Sequence, residues 1–436
     1  MFPVKKVPKS SSHAIDKPSR SNRIVVKGMK STIARAERGD IILDPFCGSG
    51  TTLVQASELN LHSIGIDVSA FNAFISNVKV GKYNINDVKD TADVITQNLE
   101  NFQKEKNNVN FENRLLDELK IFNSKFFPSP EFKYKVRQKE INEKLYGKQK
   151  SDEFLKIYYN IIDTYKISLK QKKNKTFMDK WFLQVVRDEI DFVFKQIKSI
   201  KNPETKKILA LVLSRTVRSC RATTHADLAT LKEPITSTYY CKKHGKICKP
   251  LFSILSWWQR YMQDTIQRVV QFDELRTDTF QKCLVGDSRT INIVQELEKK
   301  YPEFGRLTKK SKIAGIFSSP PYVGLINYHE QHAYAYDLFG FEWKAELEIG
   351  PLYKGQGLEA RKSYIKGISD VLNNCKQFFK RDYDVFLVAN DKYGLYPQIA
   401  ELSDMKIVNE YKRPVLNRVE KDRSAYSEII FHMKEK

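Results

Sequence analysis

The sequence lacks the paired cysteine framework of a small secreted domain. Small extracellular domains carry closely spaced cysteines that form disulfides, because their cores are too small to be stable alone. This chain of 436 residues is long enough for two or three domains with cores of their own. Its few cysteines suit a reducing cytosol, and we expect the protein to be cytoplasmic. They are scattered at Cys47, Cys220, Cys241, Cys248, Cys283 and Cys375.

Long hydrophobic runs are also missing. No segment approaches the roughly 18 unbroken apolar residues that a membrane-spanning helix requires. The first stretch, MFPVKKVPKSSSHAIDKPSR, is basic and polar, and no apolar run follows it. We therefore expect neither a signal peptide nor a membrane anchor.

Acidic residues are scarce relative to basic ones. Asp and Glu total 52 against 74 Lys and Arg, which gives a formal net charge of +22. Such a balance favours an extended polyanion, such as nucleic acid, as the partner. Charge alone leaves a second interpretation open, because many lysine-rich proteins are basic without binding any polyanion.

Seven short apolar segments predict β-strands. Most of them end in Asp, Ser or Asn, which is typical of buried parallel strands that deliver polar side chains to one edge of a sheet. The sequence thus predicts an α/β fold in three parts: residues 1–82 with a basic arm, a helical basic insertion over 83–275, and residues 276–436. The predicted strands cover residues 40–44, 62–67, 282–287, 312–319, 383–390, 405–411 and 426–434.

A glycine-rich loop follows the first predicted strand, in the stretch LDPFCGSGTTLVQA over residues 43–56. Gly48 and Gly50 precede a helix-forming run, so the backbone can turn sharply and pass close to a bound nucleotide cofactor. Asp67 ends the second strand 67 − 48 = 19 residues later, where a carboxylate is placed to accept hydrogen bonds from ribose hydroxyls. Taken alone, Gly-x-Gly would equally describe a tight turn with no ligand.

A second unusual stretch, IFSSPPYVGLINY, covers residues 316–328. Pro320 and Pro321 lack a backbone donor and fix φ, so they suit neither a helix nor a central strand. Yet the β-branched run KIAGIF leads directly into them. The pattern predicts a strand that ends in a rigid loop, which is either a catalytic loop or a surface turn.

Together the two stretches resemble the motifs of S-adenosylmethionine-dependent DNA amino-methyltransferases of restriction-modification systems. Asp-Pro-Phe-x-Gly-x-Gly-Thr-Thr is similar to that family's cofactor loop, and Ser-Pro-Pro-Tyr to its catalytic motif. The resemblance implies a Rossmann-like sheet of seven strands with S-adenosylmethionine as cofactor. The cofactor-binding residues that it implies are Asp44, Pro45, Phe46, Cys47, Gly48, Ser49, Gly50, Thr51, Thr52, Asp67, Val68, Asp287 and Ser288, and the catalytic residues are Ser319, Pro320, Pro321 and Tyr322.

The resemblance gives the proline-rich loop a chemical role. An exocyclic amine is a weak nucleophile because its lone pair is delocalised into the base ring. The Ser319 side chain and the Pro320 carbonyl would accept the amine hydrogens, while the prolines hold these acceptors in position. Tyr322 would stack on a base that has been extruded from the duplex.

The residue before Pro-Pro-Tyr bears on the target base. In this family serine usually accompanies N4-cytosine methylation, while Asp or Asn usually accompanies N6-adenine methylation. Ser319 therefore favours cytosine, with adenine as the alternative. Attack on carbon 5 of cytosine is disfavoured, because it needs a thiolate from a Pro-Cys dipeptide and the chain contains none. An RNA amino-methyltransferase is a further alternative, although we recognise no RNA-binding module.

The family also implies partners. By analogy, residues 83–275 would recognise a specific sequence in double-stranded DNA, and a cognate restriction endonuclease would accompany the enzyme. Tyr328 and His329 are either lining residues of the base pocket or ordinary helix-surface residues. Three arginines near the end of the chain either meet the DNA backbone or are solvated, namely Arg413, Arg418 and Arg423.

The insertion contains a group of metal-binding residue types in the stretch YYCKKHGKICKPLF. Cys241, His244 and Cys248 are candidate zinc ligands that Cys220 or His225 could complete. The spacing C-x2-H-x3-C is not one of the well-attested zinc patterns. A basic loop with two ordinary thiols is therefore the favoured interpretation, and no metal is predicted.

Overall fold

The computed structural model describes residues 36–436 apart from residues 174, 226–230, 232 and 415–426. The basic arm predicted at the start of the chain, Arg418 and Arg423 lie outside the described residues, as does the side chain of Arg413. The chain forms two compact units. Unit 1 consists of residues up to 80, 275–328 and 344–436, and unit 2 of residues 81–274 and 329–343.

The described residues contain nine strands. They are β1 (Ile41–Asp44), β2 (His62–Asp67), β3 (Tyr239–Cys241), β4 (Lys246–Cys248), β5 (Gln281–Val285), β6 (Ile313–Ser318), β7 (Phe379–Ala389), β8 (Met405–Pro414) and β9 (Ser427–Glu435).

Sixteen α-helices lie in the same part of the chain. They are α1 (Thr51–Glu58), α2 (Ala70–Lys79), α3 (Ile85–Glu105), α4 (Asn108–Phe126), α5 (Glu131–Arg137), α6 (Glu143–Tyr165), α7 (Phe177–Trp181), α8 (Gln184–Ser199), α9 (Pro203–Ser219), α10 (Leu255–Leu275), α11 (Ile293–Lys300), α12 (Pro302–Ser311), α13 (Tyr328–Gln331), α14 (Ala333–Phe339), α15 (Leu358–Lys376) and α16 (Tyr396–Leu402). None of them is long and apolar enough to cross a bilayer.

Unit 1 is built on one sheet of seven strands in the order β5-β2-β1-β6-β7-β9-β8. The first five of these strands are parallel, and β9 is antiparallel to both β7 and β8. All seven predicted strands are present within a few residues of their predicted bounds, which confirms the predicted seven-stranded α/β fold.

Both faces of the sheet are buried, which explains why its strands are almost uniformly apolar. Ile41 and Leu43 of β1 belong to the larger core cluster, together with residues of β2, β6 and β7. Ile42 belongs to a second cluster on the other face, with Phe317 of β6 and Phe386 of β7. Successive side chains of a strand point to opposite faces, so each residue of β1 packs into one core or the other.

The strand order reverses between β1 and β6. On one side the chain runs outward through β2 and β5, and on the other through β7 and β9. In open α/β sheets, ligands bind outside the carboxyl ends of the strands at such a reversal, because the loops there diverge and leave a crevice. The loops after β1 and β6 are therefore where the fold places a site.

Unit 2 is mainly helical, as predicted for the insertion. Ile190, Val193 and Ile197 lie at helical spacing on α8 and are all buried. The antiparallel hairpin of β3 and β4 was not predicted. Each of its strands has only three residues, which is too few to show a period-2 pattern.

Candidate active site

The loop after β1 turns sharply on its glycines. Gly48 has φ 52° and Gly50 has φ 77°, both in the left-handed region that glycine adopts without strain. The Gly50 N–H donates to the Cys47 carbonyl at 2.9 Å, and α1 begins at the next residue. A side chain on Gly50 would also collide with Ser76 of α2, whose hydroxyl lies 2.8 Å from the position of a Cβ.

Asp67, at the end of β2, ties the glycine loop to α2. Its carboxylate accepts hydrogen bonds from the N–H groups of Gly48 and Ser69, each at 2.8 Å, and from the Asn72 side chain at 3.3 Å. Burial raises the pKa of Asp67 to about 6, against the lowering effect of these hydrogen bonds, and the charge of Asp44 adds to the increase.

The loop after β5 meets the loop after β1. The Ser288 hydroxyl donates to the Pro45 carbonyl at 2.7 Å. The neighbouring Asp287 carboxylate accepts three hydrogen bonds from the Arg289 guanidinium, at 2.7 to 3.0 Å, and one from the Arg289 N–H at 2.9 Å.

A buried hydrogen bond joins the carboxyl ends of β1 and β6. The Ser318 hydroxyl donates to Asp44 Oδ1 at 2.6 Å, and both side chains are almost fully buried. Burial raises the pKa of Asp44, while hydrogen bonds from Ser318, Thr52 and the Phe46 N–H oppose the increase. The residue just before the catalytic motif therefore contacts the first residue of the cofactor loop through their side chains.

The proline-rich loop presents its serine at the surface. Ser319 is exposed, and its hydroxyl donates to the Val388 carbonyl of β7 at 3.2 Å. Pro320 is buried. The Tyr322 ring is partly buried against the larger core, and its hydroxyl donates to Glu428 of β9 at 2.8 Å. The loop is thus anchored on two neighbouring strands, and its serine remains exposed.

Tyr328 lies near the same edge of the sheet. Its N–H donates to the buried Glu348 carboxylate at 3.2 Å. Burial raises the pKa of Tyr328 to about 12, and the charges of Glu348 and Asp67 add to the increase. Within unit 2, His329 is buried, with its ring 5.4 Å from that of Trp343, so it is not an ordinary helix-surface residue.

The structure brings the predicted residues together at the carboxyl edge of the sheet, in the loops that follow β1, β2, β5 and β6. Among the others, Thr51 is exposed at the start of α1, Val68 is partly buried after β2, and the Ser49 carbonyl accepts from Lys79 at 2.7 Å. Sequence patterns did not predict the residues that position them, namely Ser76, Asn72, Ser318, Val388, Glu348 and Glu428. Of these residues only Ser318 could have been suspected from the sequence, because it lies next to the Ser-Pro-Pro-Tyr motif.

Comparison with known proteins identifies the family to which the chain belongs. A family model described as DNA methylase matches residues 3–77. The chain is 45% identical over 400 residues, 91% of its length and 75% of the relative's, to the Type II methyltransferase M.MjaII of Methanocaldococcus jannaschii. A shorter stretch of 55 residues is 38% identical to the tRNA (guanine(10)-N2)-dimethyltransferase of the same organism, covering 13% of this chain and 16% of that one. The chain therefore belongs to the DNA amino-methyltransferases of restriction-modification type.

Proposed function

We propose that the protein transfers a methyl group from S-adenosylmethionine to the N4 amine of a cytosine in a specific duplex DNA sequence, after extruding that base from the duplex. The observation that carries the proposal is the environment of Ser319. Its exposed hydroxyl directs its proton to a backbone carbonyl, which leaves its lone pairs for an incoming amine.

The chemistry needs acceptors that do not move. The nitrogen of an exocyclic amine becomes a better nucleophile when its hydrogens are held out of the ring plane. Ser319 Oγ and the Pro320 carbonyl can accept these two hydrogens, and the fixed φ of the prolines limits their relaxation. Acceptors held in place in this way stabilise the charge that develops in the transition state without reorganising.

The residues of the glycine loop fit the methyl donor that this family uses. S-adenosylmethionine supplies an electrophilic methyl group on a sulfonium. Above Gly48 the space is open, since a Cβ there would meet only the Phe46 carbonyl, at 3.9 Å. Asp67 offers carboxylate oxygens for the ribose hydroxyls and Asp287 an acceptor for the adenine amine. The buried hydrogen bond between Ser318 and Asp44 keeps this loop next to the catalytic loop.

Tyr322→Ala should lower methyl transfer about 5- to 150-fold and leave cofactor affinity unchanged. Removing an aromatic ring that stacks on a base costs about 1–3 kcal/mol. Single-turnover rates with a duplex substrate, and calorimetric titration with S-adenosylmethionine, measure the two quantities. Tyr322→Phe is the matched control, because it keeps the ring and removes only the hydrogen bond to Glu428. Equal losses in the two variants would contradict the stacking role.

Cofactor affinity should fall at low pH because of Asp67. Ribose hydroxyls donate to its ionised form, so binding favours the deprotonated carboxylate. With a pKa of about 6, Asp67 is ionised at pH 7.5 and mostly protonated at pH 5. At one pH unit below its pKa, only about one tenth of a carboxyl group is ionised. We therefore expect the dissociation constant of S-adenosylmethionine to rise about tenfold as the pH falls from 7.5 to 5.

The variant Asp67→Asn provides the control for this pH dependence. It has no carboxylate to titrate, so it should bind the cofactor more weakly at pH 7.5 and change little between pH 7.5 and 5. If Asp67→Asn keeps the full pH dependence, another group is responsible for it. Titration calorimetry at a series of pH values distinguishes the two results.

Nucleoside mass spectrometry on DNA treated with the enzyme and labelled S-adenosylmethionine tests the target base. N4-methylcytosine is the expected product. N6-methyladenine would keep the cofactor site and the loop mechanism but overturn the choice of base. Methylation of RNA alone would overturn the DNA substrate, and the short similarity to a tRNA methyltransferase makes RNA the right comparison substrate.

Target recognition and host protection complete the proposal. The basic insertion, most of which forms unit 2, would read the target sequence, since the motifs for cofactor and catalysis all lie in unit 1. The relative of 45% identity is called a Type II methyltransferase. By that likeness we assign this enzyme to the modification side of a restriction-modification pair, with a cognate endonuclease as its partner.

A further inference from the structure

Four potential metal ligands of unit 2 converge on one point. They are His225, Cys241, His244 and Cys248, and their ligand atoms all lie within 4.8 Å of one another. His244 Nδ1 is 3.6 Å from Cys241 Sγ and 3.4 Å from Cys248 Sγ. Tetrahedral zinc with Zn–S of about 2.3 Å and Zn–N of about 2.0 Å separates sulfur from nitrogen by about 3.5 Å. The observed distances match that separation.

The β3–β4 hairpin is shaped to present three of these ligands. Cys241 ends β3 and Cys248 ends β4. In the turn between them, the N–H groups of His244 and Gly245 donate to the Cys241 carbonyl at 3.1 and 2.7 Å. Gly245 has φ 64°, which lets the chain reverse immediately after His244. The turn thereby places the imidazole between the two sulfurs.

The fourth ligand comes from a separate segment and is held by a tyrosine. The hydroxyl of Tyr239, on β3, lies 2.9 Å from His225 Nδ1 and also accepts the His225 N–H at 3.1 Å. A hydrogen bond to one imidazole nitrogen fixes the tautomer and directs the other nitrogen toward a metal, as commonly seen around metal-binding histidines. Cys220, the other candidate from the sequence, is buried at the end of α9 and does not belong to the group.

The charges of the ligands also suit a divalent cation, since two thiolates and two neutral imidazoles neutralise one divalent ion. Both sulfurs are nearly buried, at 4% and 8% exposure, so they are shielded from solvent.

We propose that His225, Cys241, His244 and Cys248 form a structural zinc site. Zinc is the ion that fits two sulfur and two nitrogen ligands in tetrahedral geometry, whereas magnesium and calcium prefer oxygen. Four protein ligands leave no open position for a substrate, so the site joins segments and takes no part in methyl transfer. The bound ion would join the segment that contains His225 to the β3–β4 hairpin.

Metal analysis and cobalt substitution test the site on the whole protein. Protein produced in zinc-supplemented medium should contain close to one zinc per chain. After chelation, added Co²⁺ should give the intense visible bands of tetrahedral cobalt with thiolate ligands. The absence of both zinc and these bands would overturn the proposal. Binding of S-adenosylmethionine provides a separate check that the chelated protein remains folded.

Three variants separate the assigned ligands from their neighbours. His225→Ala should weaken Co²⁺ binding and reduce the visible bands, and His225 is exposed, so the variant should fold. Tyr239→Phe should lower metal affinity about 10- to 100-fold, as loss of a partner of a metal-binding histidine does. Cys220→Ala should retain full metal content and unchanged cobalt bands. Loss of metal from Cys220→Ala with retention in His225→Ala would overturn this ligand set.

Discussion

Ser319→Ala should lower the rate of methyl transfer about 10²- to 10³-fold while S-adenosylmethionine binds as before. This is the usual loss when one fixed hydrogen-bonding group that stabilises the transition state is removed. The variant deletes the acceptor oxygen and leaves the bond between Ser318 and Asp44 intact. Single-turnover kinetics on a duplex substrate measure the rate, and calorimetry measures the affinity.

The conservative variant Ser319→Thr keeps the hydroxyl and its bond to the Val388 carbonyl, so it should retain most of the activity. A merely structural role for Ser319 would predict a lower melting temperature for Ser319→Ala with the rate per folded molecule unchanged. That result, or loss of cofactor binding in a folded variant, would contradict the assigned role.

Gly48→Val should abolish detectable binding of S-adenosylmethionine. Its φ of 52° is unfavourable for a branched side chain, and the open space beside the glycine is where we place the ligand. In a thermal shift experiment the wild type should be stabilised by about 2.7 kcal/mol at a ligand concentration of 100 times the dissociation constant. The variant should show no shift, and methyl transfer should be lost with it.

A second glycine separates loss of the ligand from loss of the fold. Gly39 has φ 86° in the turn before β1, and a Cβ there would meet nothing within 4 Å. Gly39→Val therefore introduces a similar backbone strain at a site with no proposed ligand. It should melt at a lower temperature yet still be stabilised by S-adenosylmethionine. If Gly39→Val also fails to bind, backbone strain accounts for both results.

The fold could be predicted because its central strands are buried on both faces. Such strands are continuous apolar runs, and five of the seven predicted strands end in Asp, Ser or Asn, four of them at a candidate site residue. Strand β7 shows the limit of this pattern. It begins at Phe379, four residues before its prediction, because the polar stretch FKRD at its start does not resemble a buried strand. The ladder is irregular there, and Asp382 has φ 54°.

The residues that position the site could not be predicted, because their partners are distant in sequence. Ser318 meets Asp44 across 274 positions and Tyr322 meets Glu428 across 106. The fourth ligand of the proposed zinc site could not be chosen from the sequence either. The spacing from Cys241 to Cys248 indicated only three ligands and left Cys220 and His225 as equal choices for the fourth. Only the structure distinguishes Cys220 from His225, because it places His225 beside the other ligands with a hydrogen bond to Tyr239.

The sheet of unit 1 imposes an order on biosynthesis. β1 hydrogen-bonds to β2 on one side and to β6 on the other, and β2 also pairs with β5, but β5 and β6 follow the whole of the long insertion. A ribosome that adds about 5–20 residues per second produces β6 roughly 15–55 s after β1. During that interval the first two strands have two unpaired edges, which can associate with other nascent chains. Production of this enzyme should therefore depend on chaperones more than its size alone suggests.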